Sequence, residues 1–350
     1  MEILPFFLLS KLAENENDNV VISPLSITQT LAMVELGAKG EALTAILKLT
    51  GPLDELLHEN YTSNAMILAN SVWSSVLRED YLKTVVDRMP AAQAFRESPT
   101  KERINNWVDE NTKHLIDRIL EDDPPKDGAV LVNAAYFKDS WKVKFNTFKT
   151  RPMQFHLADG STKLVSMMTA ESPETKQNMN VFQYFSDGDY QVVSIPYSQP
   201  EYSAVIALPS ETKCNAALVS TSYETWMAGM KATPGVVLLP KFDVEGEVRD
   251  ITGLLEEEGL QLSGDYSGMS DGPLQISSVF HKAVLKVNEE GTEAAAASAM
   301  VMNRAFVMPP PDAFEMVVNR PFYFIVKHNL TGRMAFIGKI SNPDDADSTK

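Results

Sequence analysis

The chain uses two spacings of apolar residues, and each spacing predicts a different kind of element. Residues 281–288 (HKAVLKVN) place apolar side chains at every second position, which is the period of a β-strand. Residues 129–137 form a nearly unbroken apolar run, typical of a strand buried on both faces. Between residues 98 and 119 the apolar positions recur at helical spacing instead. The pattern predicts a chain that mixes helices with long strands.

Caps and helix breakers set further boundaries. Ser23 and Pro24 are residue types preferred at the N-cap and in the first turn, so a helix is expected to begin there and to end near Gly37. The other predicted helices cover residues 41–49, 80–89, 98–119, 216–230 and 250–260, while strands are predicted at 65–74 and 236–239 and through much of 153–208. This order of elements predicts the α+β class with large antiparallel sheets.

One stretch near the C-terminus is made of small residues. It runs from Thr292 to Ala299, with a predicted strand before it and three prolines at 309–311 after it. Because alanine favours helices, a short surface helix is one interpretation. The other is an exposed loop that is able to become a strand. As a strand it would place Glu293, its only charged residue, on one face, and on the other Thr292, Ala294, Ala296, Ser298 and Met300.

Composition narrows the classes of function. The chain has 350 residues with no linker or repeat, which predicts one domain over residues 1–350. Its formal net charge of −16 argues against nucleic acid and anionic membranes as partners. Cys214 is the single cysteine, so no internal disulfide is expected. Residues 1–12 are typical of an amphipathic helix rather than a leader peptide.

The expected cellular location depends on whether a leader peptide was removed. We expect an extracellular protein if a leader was removed before residue 1, and a cytoplasmic protein otherwise. Asn60 and Asn329 lie in formal glycosylation sequons, which support secretion only weakly because such triplets are common by chance.

No arrangement of residues indicates catalysis. The five histidines form no HExxH motif and no pair at metal-ligand spacing. His281 lies on a predicted strand, where a histidine more often completes a buried hydrogen-bond network than acts as a catalyst. A catalytic triad assembled only by the fold would not show in the sequence, so a hydrolase stays a minor alternative. The sequence therefore predicts no enzyme, no metal and no cofactor.

Six segments resemble signature sequences of the serpin family and follow the family's order. They are NVVISPLSITQTLAMVELGAKG (19–40), INNWVDENT (104–112), LVNAAYFKDSW (131–141), LPKF (239–242), HKAVLKVNEEGTEA (281–294) and RPFYFIVKHNLTGRMAFIGKISNP (320–343). The resemblance spans nearly the whole chain. It implies the serpin fold, with about nine helices, three β-sheets and an exposed reactive-centre loop at about 290–312.

The resemblance also implies an activity. Inhibitory serpins present this loop to a protease, which attacks it and forms an acyl-enzyme. The cut loop then inserts into the main sheet and traps the protease irreversibly. Thr292 is expected to sit at the exposed base of the loop before cleavage and to enter the sheet first.

The resemblance assigns roles to three groups of residues. The hinge comprises Gly291, Thr292, Glu293, Ala294, Ala295, Ala296 and Ala297; the breach comprises Trp141, Lys241 and Glu289; the shutter comprises Ser23, Ser26, Asn133 and His281. An ordinary surface pair, worth about 0–1 kcal/mol, is the alternative reading of Lys241 and Glu289. A non-inhibitory binding or chaperone serpin is the alternative reading of the hinge, but such relatives usually carry bulky or charged residues there.

The bait bond has three candidates. Arg304–Ala305 is favoured because a lone accessible arginine suits the acidic specificity pocket of a trypsin-like serine protease. Ala305–Phe306 is the runner-up and would suit an elastase-like enzyme, and Phe306–Val307 is third. Chymotrypsin-like and cysteine proteases stay alternative targets. We expect a monomer, and no activation by heparin because Asp54, Glu55 and Glu59 replace a basic stripe.

Overall fold

The computed structural model describes residues 4–52, 65–172, 182–211, 216–292 and 313–344. Most of the expected reactive-centre loop, from Glu293 through the alanines to Arg304, Ala305, Phe306 and Val307, lies outside the described residues. The same holds for Asp54, Glu55, Glu59, Asn60 and Cys214. Predictions that rest on those residues therefore stay predictions.

Seven α-helices lie in the described part of the chain, slightly fewer than the nine or so expected. They are α1 (Leu4–Leu12), α2 (Pro24–Glu35), α3 (Gly40–Thr50), α4 (Glu79–Arg88), α5 (Lys101–Asn111), α6 (Ala216–Gly229) and α7 (Thr252–Glu257). None of them is long and apolar enough to cross a membrane. The helix predicted over 98–119 is wrong at its C-terminal end. Lys113 and His114 have φ angles of 56° and 63°, which no helix continues through.

Nineteen strands complete the described structure. They are β1 (Val20–Ile22), β2 (Met66–Trp73), β3 (Ala92–Phe95), β4 (Ala129–Phe137), β5 (Asp139–Ser140), β6 (Arg151–His156), β7 (Thr162–Glu171), β8 (Phe182–Ser186), β9 (Tyr190–Pro196), β10 (Tyr202–Pro209), β11 (Lys231–Thr233), β12 (Gly235–Pro240), β13 (Phe242–Glu245), β14 (Arg249–Asp250), β15 (Ile276–Val287), β16 (Gly291–Thr292), β17 (Phe314–Val317), β18 (Phe322–His328) and β19 (Met334–Ile340). They form three sheets, as the resemblance implied, and the α+β class is confirmed.

The contacts within the chain group its residues into two compact units. The first unit contains Met1–Val21, Lys138–Glu245 and Leu285–Lys350, and the second contains Ile22–Phe137 and Gly246–Val284. Both units combine segments that are distant in sequence, and β15 continues from the second into the first. The single domain over 1–350 stays a prediction.

The second unit is built on the sheet β3-β2-β4-β15. Strands β4 and β15 run parallel, with Asn133 opposite His281, and all nine residues of β4 are buried. Helix α5 and the segment after it cover this sheet with Ile104, Trp107, Val108 and Ile119, which form one apolar cluster with Trp73 and Val132. A strand with apolar residues on both faces needs such cover, which explains the unbroken apolar run.

The first unit holds the other two sheets and the end of β15. One sheet has the order β1-β19-β18-β10-β9-β8-β11 and the other β17-β12-β7-β6. Beyond Val287 the chain turns back and forms β16, which pairs with β15 on one side and with β5 on the other. Both ends of the segment 293–312 are therefore fixed in this unit, at Thr292 and at Phe314, where β17 begins.

Candidate functional site

The four predicted shutter residues form one buried hydrogen-bond network in the second unit. The backbone N–H of Ser23, the N-cap of α2, donates to Nε2 of His281 at 3.1 Å. Because Nε2 accepts, the proton of the ring lies on Nδ1, which donates to Oδ1 of Asn133. The side-chain amide of Asn133 in turn donates to the hydroxyl of Ser26. The network thus joins a helix N-terminus to two adjacent parallel strands.

Burial determines the charge state of this network. His281 is 1% exposed, and desolvation lowers its pKa to about 3. The imidazole is therefore neutral at neutral pH, which matches its role as an acceptor of one hydrogen bond and a donor of another. The cluster is therefore a network of neutral hydrogen bonds that connects Ser23 and Ser26 of the α2 N-terminus with Asn133 and His281.

Two members of the network were not predicted. The amide of Asn133 donates to Oγ1 of Thr30 at 2.9 Å and to Oδ1 of Asn70 at 2.5 Å. Thr30 follows Ser26 by one helical turn and so shares its face. Asn70 is a polar residue inside the strand MILANSVW, where 1% exposure leaves it in need of partners. An asparagine in a strand that is apolar except for the neighbouring Ser71 is the signal that would have identified it.

The predicted breach residues also lie close together, in the first unit. Nζ of Lys241 is 3.0 Å from Oε2 of Glu289, and their side chains are only 17% and 10% exposed. The alternative of an ordinary surface pair is therefore wrong. Thr150, which was not predicted, donates its hydroxyl to the other oxygen of Glu289 at 2.7 Å. The indole N–H of Trp141 donates to the carbonyl of Asn288 at 2.9 Å.

The two described hinge residues, Gly291 and Thr292, are already part of the sheet. Thr292 lies opposite Val287 on one side and Asp139 on the other, and it is 0% exposed. The expectation of an exposed position at the base of the loop is therefore wrong. Thr292 can be buried because its hydroxyl has a hydrogen-bond partner: the hydroxyls of Thr292 and Tyr197 are 2.7 Å apart.

Glycine is required beside this threonine because the two strands approach closely. A Cβ atom on Gly291 would lie 2.1 Å from the carbonyl oxygen of Asp139 and 2.6 Å from Cα of Ser140. Only a residue without a side chain allows β16 to pair with β5 at this distance.

Tyr197, whose hydroxyl contacts Thr292, belongs to a cluster of three aromatic rings. The rings of Trp141 and Tyr197 stack with centroids 4.6 Å apart, and Phe145 packs against Trp141 edge-on at 5.7 Å. Burial raises the pKa of the Tyr197 phenol, so its hydroxyl stays protonated and available for Thr292. Tyr197 lies 95 residues from Thr292 in sequence, and no pattern indicated their contact.

The polar groups of both sites are closed to solvent: Ser23, Ser26, Asn133, His281 and Thr292 are at most 1% exposed. Within the described ranges, no group of three or more His, Cys, Asp or Glu residues is placed to hold a metal ion. Both sites instead hold strands together. The hydrogen bond between Asn133 and His281 joins β4 to β15. Gly291 and Thr292 form a two-residue strand that pairs with the end of β15.

The chain is similar to known proteins along nearly its whole length. A sequence model of the family described as serpin (serine protease inhibitor) matches residues 4–343. Leukocyte elastase inhibitor of Xenopus tropicalis is 33% identical over 383 residues, covering 97% of this chain and 97% of that protein. Neuroserpin of Gallus gallus is 30% identical over 373 residues, covering 95% of this chain and 88% of that protein.

Solved structures show the same fold. Native tengpin, a thermophilic serpin, matches with a TM-score of 0.82 and 27% identity over 97% of this chain and 92% of that one. Native protease nexin-1 with heparin matches with a TM-score of 0.78 and 25% identity, covering 97% of each chain.

The family match extends over nearly the entire chain, and a relative above 30% identity is aligned along almost its full length. The family is one of protease inhibitors, whose general partners are proteases, and its members are not catalysts. This chain is accordingly not an enzyme. It belongs to the serpin family.

Proposed function

We propose that the protein is an inhibitory serpin, which traps a serine protease by inserting its cut loop between β15 and β4. One observation carries the proposal: Gly291 and Thr292 are already a short strand at the end of β15. Strand β16 is antiparallel to β15, so any continuation of it must run back along β15 toward Ile276. That path lies where β15 pairs with β4.

The register shows which residues would face inward. Continuing the pairing of Val287 with Thr292 places Ala294 opposite Leu285 and Ala296 opposite Ala283. Those β15 residues are at most 1% exposed, so small partners are required. Glu293 would lie opposite Lys286, whose partly exposed ammonium is 3.2 Å from Asp243, so the charge of Glu293 would meet a cation at the solvent-facing side. The small, uncharged residues at 294–297 thus favour the inhibitory over the non-inhibitory reading of the hinge.

The length of β15 supports the favoured bait bond. The same register places Asn303 opposite Ile276, the first residue of β15. A strand from Thr292 to Asn303 would therefore pair with β15 along its whole length. Cleavage at Arg304–Ala305 would free this strand together with one further residue, Arg304. We propose Arg304 as the residue read by a trypsin-like protease, with Ala305–Phe306 as the second candidate.

The two buried clusters fit the roles that the resemblance implied. Insertion must separate β4 from β15, and the Asn133–His281 hydrogen bond joins those strands at their midpoint. The Lys241–Glu289 pair fixes the chain just before the hinge. We propose that the first cluster sets the barrier to premature opening, and that the second holds the entry point in place.

Incubation with trypsin, elastase and chymotrypsin, followed by denaturing gels, tests the function. We expect a denaturant-resistant adduct with trypsin, with the protease Ser in ester linkage to Arg304. Cleavage without an adduct would instead indicate a non-inhibitory serpin. Mass spectrometry of the peptide released on adduct formation identifies the bond, and Arg304→Ala should abolish the trypsin adduct while leaving the thermal midpoint unchanged. A trypsin adduct in that variant would move the bait bond.

A further inference from the structure

The acidic chain carries one basic surface segment beside the hinge. Between Ser140 and Ala158 there are four lysine or arginine residues and no aspartate or glutamate, in a protein of net charge −16. Residues 142–151 (KVKFNTFKTR) contain all four cations and are called the basic-aromatic segment below.

Most of this segment faces solvent, including an aromatic ring. Phe148 is 79% exposed and Val143 is 41% exposed. Phe148 lies in a single turn of 3-10 helix, Thr147–Lys149, none of whose residues is buried. Asn146 caps the turn by accepting from the Phe148 N–H at 3.0 Å, so the ring is held outward. Exposed aromatic and arginine side chains are enriched at protein interfaces, and charged side chains belong to the rim around them.

The cations divide into two kinds. Nζ of Lys149 contacts both carboxylate oxygens of Glu171 at 2.6 Å, and Lys144 is paired with Glu290. Lys142 and Arg151 are exposed, and in the described part of the chain neither forms an ion pair. Two charges are therefore available to an outside partner.

The segment is fastened to the residues that precede the hinge. The N–H of Phe145 donates to the carbonyl of Glu289 at 3.0 Å, and Thr150 donates to the side chain of the same residue. At the N-terminal side, the N–H of Trp141 donates to the carbonyl of Glu290 at 2.9 Å. The segment thus forms an exposed loop closed over Glu289 and Glu290, directly before β16.

A protease that engages the loop would have to approach this surface. Residues 293–312 are fixed at Thr292 and at Phe314, and β17, which starts at Phe314, belongs to the same four-stranded sheet as β6, which starts at Arg151. The residues that flank the segment 293–312 therefore lie in the same unit as the basic-aromatic segment.

We propose that the basic-aromatic segment is a second docking surface for the target protease. It would contact an acidic rim beside the protease's active-site cleft, with Lys142 and Arg151 supplying charge and Phe148 an apolar contact. The proposal rests on the proposed inhibitory function and adds a basis for target choice outside the bait bond. A sulfated polysaccharide fits less well, because two unpaired cations are few for a polyanion and an exposed phenylalanine contributes nothing to sulfate binding.

Two trypsins of equal specificity but opposite net charge, anionic and cationic trypsin, serve as probes. The variant Lys142→Glu/Arg151→Glu should react with anionic trypsin about tenfold more slowly than the parent at low salt, since like charges now oppose each other. The difference should shrink at high salt, where surface charges are screened. With cationic trypsin the variant should react at least as fast as the parent. Phe148→Ser should slow the reaction with anionic trypsin at both salt concentrations, because an apolar contact is not screened.

The control variant Lys83→Glu/Lys126→Glu makes the same change in net charge at exposed lysines of the second unit. It should leave the rate with anionic trypsin within about twofold of the parent. Equal slowing in both double variants would overturn the proposal, as would no slowing in Lys142→Glu/Arg151→Glu. If heparin accelerates the parent's reaction and this variant loses the acceleration, the partner is a polyanion and the proposal is overturned.

Failure of the inhibitory function is distinguishable from failure of the docking surface. A parent that is cut by both trypsins without forming adducts contradicts the proposed function. The docking surface is then measured by equilibrium binding of anionic trypsin whose catalytic serine is replaced by alanine. Weaker binding of Lys142→Glu/Arg151→Glu than of the parent supports the surface, and equal binding overturns it.

Discussion

The phenol oxygen of Tyr197 lies 2.7 Å from Oγ1 of Thr292, and both residues are fully buried. This contact holds Thr292, a residue of the predicted hinge, inside the sheet of the intact chain. Tyr197 is itself stacked on Trp141, so a rigid aromatic pair positions the hydroxyl. The intact protein has therefore begun the strand that the proposed mechanism must complete.

A double-mutant cycle measures this contact. Tyr197→Phe and Thr292→Val should each lower the free energy of unfolding by about 1–3 kcal/mol, because each leaves a buried hydroxyl without this partner. The double variant should lose less than the sum of the two, since it leaves neither hydroxyl. Urea denaturation of the four proteins gives the coupling energy. Strictly additive losses would show that the two hydroxyls do not interact.

The close approach of β16 to β5 gives a second prediction. Gly291→Ala would place a methyl group 2.1 Å from the carbonyl oxygen of Asp139, so β16 must move away from β5. We expect the free energy of unfolding to fall by about 1–3 kcal/mol, as for other overpacked sites. Gly272→Ala is the matched control, because no atom lies within 4 Å of its added Cβ. Equal thermal midpoints for the two variants would contradict the observed packing.

The sequence predicted much of the fold because its strongest patterns are local. Residues 129–137 were predicted as a buried strand, and β4 has those bounds. The helix predicted over 98–119 was too long because Leu115 and Ile119 continue the apolar pattern. Both residues do pack with the cluster under α5, but from an irregular segment beyond Asn111. Periodicity reports which side chains are buried, not which backbone carries them.

The site was predicted less completely, and for a different reason. Ser23, Ser26, Asn133 and His281 were found through the resemblance, and the structure places them in contact. Tyr197 and Thr150 were missed because their partners are 95 and 139 residues away. The burial of Thr292 was missed because small residues before a loop predict exposure, whereas pairing on both sides and a partner for the hydroxyl favour burial.

The neutral state of His281 makes stability depend on pH. Its pKa is about 3 in the folded protein but about 6.5 when unfolded, so below pH 6.5 the unfolded chain binds a proton that the folded one does not. This contribution to stability is present above pH 6.5 and is lost, at about 1.4 kcal/mol per pH unit, as the pH falls toward 3.

Urea midpoints of the intact protein between pH 7.5 and 5 measure this effect. The charged neighbours of His281 are Arg249, which lies opposite it on β14, and Lys282, the next residue of β15. His281→Asn should lower stability at pH 7.5, since the hydrogen bonds of the ring are lost, but it should also flatten the decline toward pH 5. A decline as steep as that of the parent would assign the pH dependence to other groups.

Cleavage of the loop should raise stability sharply. Insertion of Thr292–Asn303 would add about one backbone hydrogen bond per residue, each worth roughly 1 kcal/mol, or on the order of 10 kcal/mol in all. At about 2–4 °C per kcal/mol, the thermal midpoint should rise by tens of degrees after a cut between Ala299 and Pro309. Calorimetry of the intact and cut proteins tests this. An unchanged midpoint after a verified cut would exclude insertion.

Thr292→Arg separates capture of the protease from its attack. The site at residue 292 is closed, with Val287 and Asp139 on either side and Tyr197 in contact with the threonine hydroxyl. The Asp139 carboxylate already accepts hydrogen bonds from Ser140, Ser198 and Gln199, so a guanidinium would be buried without a free partner at a cost of several kcal/mol. In the intact variant we therefore expect residues 291 and 292 to leave the sheet. The bait bond at Arg304 is unaffected, so trypsin should still cut it.

The substitution should then change only the partition of the acyl-enzyme between two competing steps, insertion of the cut loop and hydrolysis by water. Because the inserting strand must begin with residue 292, insertion slows, water resolves the acyl-enzyme, and cut inhibitor accumulates instead of adduct. Glu293→Arg is the matched control, since the same side chain at the next position would point to the opposite face, where Lys286 is partly exposed and the Asp243 carboxylate lies 3.2 Å from its ammonium. The measured quantity is the ratio of cut to trapped inhibitor at fixed trypsin. We expect this ratio to rise at least tenfold for Thr292→Arg, on the order of the penalty for burying the charge, and far less for Glu293→Arg. Equal ratios in the two variants would show that the strand does not enter the sheet through Thr292.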